Sequence, residues 1–256
     1  MELLDYSRKP PPNFFSMGEN PGRFFGIEVE TEAPKGFTFP SCCRVIANLS
    51  PDNRWYAKRD GSLDCGAELV SHPISYSYWQ SNDTVFSPLE TLRAKGFRSY
   101  STRTCGMHVH VSRSSISQLS QYKLVNFFRL HPEKIFRVSR RAQKERLDNY
   151  SRVFVGPRPT INGKIRREFA QNDRYEAINL CPRETVEFRI FRGTLDTDAI
   201  KRNIAFVQAV ISFVQHTSIA HLFWKNFLDY IASDDGKIVL GPIQQKALYT
   251  WLESIK

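Results

Sequence analysis

The sequence predicts an α+β protein, a mostly antiparallel sheet with helices packed against it. Three observations carry that expectation. Segments 24–31, 106–112 and 184–191 alternate apolar and polar residues, the period of a half-buried strand. Strand-like runs also pair about turn residues as hairpins. Amphipathic helical patterns fall between these hairpins instead of alternating with single parallel strands.

Residues 1–22 carry Pro10-Pro11-Pro12 and Pro21-Gly22, and read as an extended arm ahead of one domain over 23–256. The first strand runs from Phe24 to Thr31, and Ser41 is placed to cap a helix reaching Leu49. Trp55 to Lys58 and Ala67 to Ser71 form a hairpin about Asp60-Gly61. Thr84 to Lys95 reads as a helix ended by Gly96, despite Pro88 in its first turns. Phe97 to Ser101 and Gly106 to Ser112 read as strands, followed by a helix from Ser117 to Leu130. Pro132 restarts the helical pattern through Arg141. The stretch 143–173 is basic and poorly periodic, with turn signals at Gly156-Pro157 and Asn162-Gly163. A loop that long is usually functional. Tyr175 to Cys181 and Glu184 to Phe191 form a second hairpin with Pro182-Arg183 at its tip. Thr197 or Asp198 starts an amphipathic helix to His216, and more helix follows to the end of the chain.

The polar faces of the three alternating strands are the most informative feature. Glu28 shares a face with Glu30, His108 with His110, and Glu187 with Arg189. Carboxylates two residues apart on a strand sit roughly 6–7 Å from each other, and a neighbouring strand brings more acid within about 5 Å. Such a face is either an ordinary wetted sheet surface or a site. As a site it calls for a cation, and oxygen-rich ligands suit Mg²⁺ or Mn²⁺.

Composition narrows the classes. Hydrophobic residues make up 41% and aromatics 13% of the 256, enough for a core and too many for a disordered chain. No apolar run reaches the roughly 18–20 residues of a membrane span. Met1 to Pro12 lacks the apolar stretch of a signal peptide, so a cytoplasmic protein without membrane partners is expected. Cys42, Cys43, Cys65, Cys105 and Cys181 form no C-x-x-C pair, which argues against a zinc ribbon or disulfide framework. A zinc site from Cys65, Cys105 and His108 is the weaker alternative to buried thiols. The net charge of +10 concentrates between Arg137 and Arg174. It suits nucleic acid, a triphosphate and acidic substrate, or simply a solvated helix face.

Several of these segments together are similar to the amidoligases, within the glutamine synthetase-like carboxylate–amine ligases. They are Phe25-Gly26-Ile27-Glu28-Val29-Glu30, Asp60-Gly61-Ser62, Glu68-Leu69-Val70-Ser71, Cys105-Gly106-Met107-His108-Val109-His110 and Glu187-Phe188-Arg189-Ile190-Phe191-Arg192-Gly193-Thr194-Leu195. The resemblance runs from about residue 24 to 215. It implies a sheet curved into a half-barrel, with helices on its outer face, binding ATP with two or three divalent ions. It places one ion on Glu30, Glu68 and Asp60, and a second on Glu28, His108 and Glu187. His110 would touch ATP, and Arg189 would bind phosphate, with Arg192 as a further candidate. Asp60 is equally suited to be the turn residue before Gly61. The basic loop 143–174 would act as a lid supplying Arg152 and Arg174 to the nucleotide.

The implied reaction is ATP-dependent joining of a carboxylate and an amine through an acyl phosphate, giving an amide or isopeptide bond. The partners would be an acidic amino acid, or a protein or peptide. No nucleophile motif such as G-x-S-x-G is present, and phosphoryl transfer needs mainly positioning and charge neutralisation. A phosphotransferase on the same fold, a nucleic-acid-binding protein and a metal-dependent hydrolase are the competing readings.

Overall fold

The computed structural model describes residues 1–256 apart from 2, 20, 50, 51, 103, 142–175 and 256. Among the described residues, eight strands form an open, mostly antiparallel sheet with helices packed around it, the α+β class expected. The basic loop 143–174 expected to act as a lid, with Arg152 and Arg174, lies outside the described residues. None of the described helices is long and apolar enough to cross a membrane. Contacts divide the chain into two units, Met1–Val109 with Arg192–Lys201 and His110–Phe191 with Arg202–Lys256.

The first unit contains β1 (Leu3–Leu4), β2 (Phe24–Glu32), α1 (Phe39–Ala47), β3 (Trp55–Lys58), β4 (Gly66–Ser71), β5 (Ile74–Ser75), α2 (Tyr76–Ser81) and α3 (Ser87–Ala94). It also holds the start of β6 (Gly106–Ser112). The strand order is β1-β3-β4-β2-β6, with β5 paired to the end of β2. β1 runs parallel to β3, whereas β3/β4 and β4/β2 are antiparallel. The alternation in β2 becomes burial: Phe25, Ile27 and Val29 are fully enclosed, while Glu28 and Glu30 take the other face. Pairing aligns Glu30 with Glu68 and Glu68 with Lys58, so three charged side chains stand in one cross-strand row. Under the sheet, Trp79 is fully buried, packs edge-on to Trp55 at 6.0 Å, and donates its Nε1–H to the Phe25 carbonyl at 3.2 Å.

Several element boundaries differ from expectation for identifiable reasons. α1 begins before Ser41, because the Thr38 hydroxyl caps it by accepting from the Ser41 N–H. The helix expected over 84–95 is a 3₁₀ turn, Asp83–Phe86, followed by α3. Pro88 has no N–H to give the Thr84 carbonyl, which instead accepts from Ser87 Oγ and Arg54 Nη2, each at 2.9 Å. Phe97 to Ser101 is not a strand; only Arg98 bridges, exchanging both backbone hydrogen bonds with Glu32. Gly96 and Ser101 both have positive φ, +83° and +55°, and turn the chain away on either side. α2 has no clear periodic signal over its six residues, and the sequence reading passed over it.

The second unit contains the end of β6, α4 (Gln118–Leu130), α5 (Pro132–Ser139), β7 (Ile178–Asn179) and β8 (Thr185–Arg192, through Phe191). Most of α6 (Thr197–His216), then α7 (Trp224–Ala232), α8 (Asp234–Leu240) and α9 (Pro242–Ser254) complete it. The strand order is β6-β8-β7. α5 stops short of Arg141 because Arg140 adopts a left-handed conformation, φ 56°. Phe127 on α4 is the centre of the core, with ring centroids of Phe213, Trp224 and Phe227 at 5.6, 5.8 and 5.3 Å. The Arg113 guanidinium donates to the carbonyls of Leu180, Pro182 and Thr185, which fixes the β7–β8 turn.

Two substitutions test this packing. A Cβ on Gly66 would meet the Thr31 carbonyl oxygen at 1.8 Å, a backbone atom that cannot swing aside. Gly66→Ala is expected to cost about 2–3 kcal/mol in urea denaturation. Phe127→Ala, which empties an enclosed aromatic site, is expected to cost about 3–5 kcal/mol.

Candidate metal centre

The first unit gathers the predicted carboxylates. Ligand atoms of Glu30, Asp60 and Glu68 lie within 4.8 Å of one another, and so do those of Glu28, Glu68 and His108. Glu68 belongs to both groups. Register explains this: Glu30 and Glu68 are opposite each other, and the hairpin loop between β3 and β4 returns Asp60 to the same face. His108 Nδ1 stands 3.3 Å from Glu28 Oε2. Asp60 is the turn residue before Gly61 and stands near the other acids. Its Oδ1 accepts the Ser62 N–H at 2.8 Å, forming the turn, while the side chain remains within reach of Glu30 and Glu68.

These groups fit a divalent cation. In an octahedral Mg²⁺ site with bonds of about 2.1 Å, ligand atoms stand roughly 3.0 Å apart when adjacent and roughly 4.2 Å when opposed, so each group would have to draw in around an ion. The donors are mostly carboxylate oxygens, the set that hard cations prefer. Their electrostatics are uncomfortable without one. Burial first, and then the neighbouring Glu28, push the Glu68 carboxyl from its ordinary 4.5 up to about 8, against the opposing pull of Lys58. Cysteine takes no part in the candidate metal groups among the described residues. The zinc alternative from Cys65, Cys105 and His108 is not among those groups, and burial pushes the Cys105 thiol up to about 12.

Two residues that sequence reasoning missed complete this face. Lys58 is buried and its Nζ donates to Glu68 Oε2 at 3.2 Å. Its signal was present in the β3 alternation, which puts Tyr56 and Lys58 on the face opposite Trp55 and Ala57. Glu32 continues the Glu28, Glu30 series but serves a different end. Its carboxylate accepts the N–H groups of Asp64 and Cys65 and the Thr104 hydroxyl, each at 2.8 Å. It thereby ties down the loop that carries Asp60 and the approach to β6.

The second unit arranges the remaining residues. Glu187 is buried and both its oxygens are engaged, Oε1 by Arg189 Nη1 and Oε2 by Asn179 Nδ2 at 2.6 Å. Asn179 faces Glu187 directly across the β7/β8 register and also accepts the Cys181 N–H. The sequence left Asn179 without a role; it positions Glu187. His110 lies with its Nε2 4.0 Å from Glu187 Oε1 and its Nδ1 3.2 Å from the Thr185 hydroxyl. Arg192 is three residues beyond Arg189, so strand alternation sends the two to opposite faces. Its guanidinium instead rests over the Tyr100 ring at 5.9 Å.

Residues 124–211 match the model of a family described as "Putative amidoligase enzyme", about a third of the chain. It is the family that the sequence motifs resemble, and that description implies a ligase. The match spans Asn179, Glu187 and Arg189 but not Glu28, Glu30, Asp60, Glu68 or His108, so the candidate metal groups and the family match are separate observations. No curated protein matches the chain.

The raised Glu68 pKa has a definite consequence for stability. A carboxyl held above its unfolded value stabilises the fold while protonated, and that contribution is lost as pH rises from about 4.5 through 8. Metal-free protein is therefore expected to lose thermal stability between pH 5.5 and 8.5 more steeply than Glu68→Gln. Equal slopes in the two proteins would remove Glu68 as the titrating group.

Proposed function

We propose that the protein is an ATP-dependent ligase that joins a carboxylate to an amine. The observation that carries this reading is the pair of cation-competent groups sharing the buried Glu68, in a chain whose 124–211 segment matches an amidoligase family. Glu30, Asp60 and Glu68 would hold one Mg²⁺ or Mn²⁺, and Glu28 and His108 would contribute to a second. A bound divalent ion would supply neutralisation of phosphate charge and polarisation of the transferred phosphoryl group.

The reaction divides into two displacements. The substrate carboxylate oxygen attacks the γ-phosphorus of ATP, the bond to the β,γ-bridging oxygen breaks, and ADP leaves. The amine nitrogen then attacks the acyl carbon of the resulting acyl phosphate, loses a proton, and inorganic phosphate departs. This chain's residues bind and orient. Arg189, a planar donor fork already engaged with one carboxylate, is suited to a phosphoryl group. His110, held by the Thr185 hydroxyl, is a fixed polar contact for nucleotide. Asn179 keeps Glu187 in place while Arg189 changes partner.

Thermal stability with ATP, Mg²⁺, both or neither is the test. Ligand at about a hundred times its dissociation constant adds roughly 2.7 kcal/mol. A shift that needs both, and that is lost in Glu68→Gln and in Glu187→Gln, is expected. Added hydroxylamine should then trap acyl phosphate as a hydroxamate in the presence of the right carboxylate. No nucleotide shift in folded protein would overturn the ligase reading, and ADP release with a phosphorylated rather than amidated product would replace it by a phosphotransferase.

A further inference from the structure

Lys58 is the unexpected member of the first unit's acidic face. It is buried, and its ammonium donates to Glu68 Oε2 at 3.2 Å. Its other neighbour is an aromatic ring, since Nζ lies 5.0 Å from the Tyr6 ring centroid. β1 brings that ring into place. Leu3 and Leu4 pair in parallel with Ala57 and Lys58, and the Arg59 N–H donates to the Leu4 carbonyl at 2.9 Å. Tyr6 is 61% exposed, whereas Glu68 is enclosed. The ammonium therefore has an inner partner in an anion and an outer partner in a ring at the water boundary.

Glu68 is also the carboxylate common to both cation-competent groups, Glu30 with Asp60 and Glu28 with His108. An ion on either group would share Glu68 with the lysine. Coordinated by the same oxygen at about 2.1 Å, it would stand on the order of 5 Å from the ammonium or closer. Two cations that near, in a buried place where salt screens little, repel each other strongly. At equal distance the ammonium repels a divalent ion twice as strongly as it repels a proton on Glu68. Loss of the lysine charge would therefore favour the ion over the proton as well.

We propose that Lys58 is a built-in counter-cation that a divalent ion has to displace from Glu68, and that it thereby sets the affinity and charge selectivity of the site. This inference rests on the cation site of the function proposed above, and not on ATP or ligation. As the ion enters, the bond from Nζ to Glu68 Oε2 breaks. The ammonium swings toward water on its flexible four-carbon stem and keeps the face of the Tyr6 ring. A monovalent ion would replace the lysine charge with an equal one, whereas a divalent ion brings one charge more to the crowded carboxylates.

The test titrates the full, metal-stripped chain with Mn²⁺, read by the electron paramagnetic resonance of the free ion, with thermal melting on the same samples. Lys58→Met and Lys58→Gln should each bind Mn²⁺ at least tenfold more tightly than the unaltered chain, and should melt lower until Mn²⁺ is added. Lys58→Gln keeps an N–H donor for Glu68, which guards against a fold lost in Lys58→Met. Lys58→Arg, which keeps the charge, should bind Mn²⁺ within threefold of the unaltered chain. A lysine that merely held Glu68 in position would give the opposite sign, weaker binding in both neutral variants. That result, an unchanged affinity, an arginine variant as tight as the neutral ones, or no Mn²⁺ binding in any of the proteins would overturn the proposal. MgATP thermal shifts on the same samples separate the two readings. Tighter Mn²⁺ binding in the neutral variants without any MgATP shift would sink the ligase reading and keep the role of Lys58; a MgATP shift with Mn²⁺ affinity unmoved would sink that role alone.

Discussion

Burying the carboxylate of Glu68 is the constraint on which the first unit's polar face depends. A charge removed from water costs several kcal/mol unless it is paired and hydrogen-bonded. Here the cross-strand register leaves no choice about its neighbours, since Glu30 lies directly opposite on one side and Lys58 on the other. Lys58 supplies one compensating charge, yet Glu28, Glu30 and Asp60 also crowd the same space. The arrangement is strained toward accepting either a proton or a cation. Both outcomes relieve the same repulsion, which is why protonation and metal binding are expected to compete.

The second unit resolves a similar problem in another way. Glu187 is just as enclosed, but Arg189 and Asn179 satisfy its two oxygens completely. It needs no ion to be stable. Under the proposed function that pair is a latch: releasing Arg189 to a phosphate would free an oxygen of Glu187 at the same moment. With Arg189 turned away, the neutral Asn179 amide would not answer the buried Glu187 charge, so the freed oxygen would call for another cation.

Most of the fold was legible because period-two alternation and turn residues are local signals. β2, β3, β4, β6 and β8 begin and end within a residue or two of their expected positions. The failures came where a distant contact decided. Pro88 divides a helix because Arg54, more than thirty residues away, takes the carbonyl it abandons. Phe97 to Ser101 has strand composition, but left-handed residues bracket it and only one bridge forms. In the candidate site, acids and histidines were conspicuous, whereas Lys58 and Glu32 looked like ordinary surface charges until pairing placed them.

The turn between β7 and β8 carries a further meaning. Asn179 reaches Glu187 only because the two are directly paired, and β7 is just two residues long. Deleting one residue from the turn, around Pro182 and Arg183, would slide that register and aim Ile178 where Asn179 now stands. Glu187 would then exchange an amide donor for a hydrocarbon without any change to its own strand. The length of this short connection is thus inherited chemistry: it behaves as a residue of the site although no atom of it need touch a substrate.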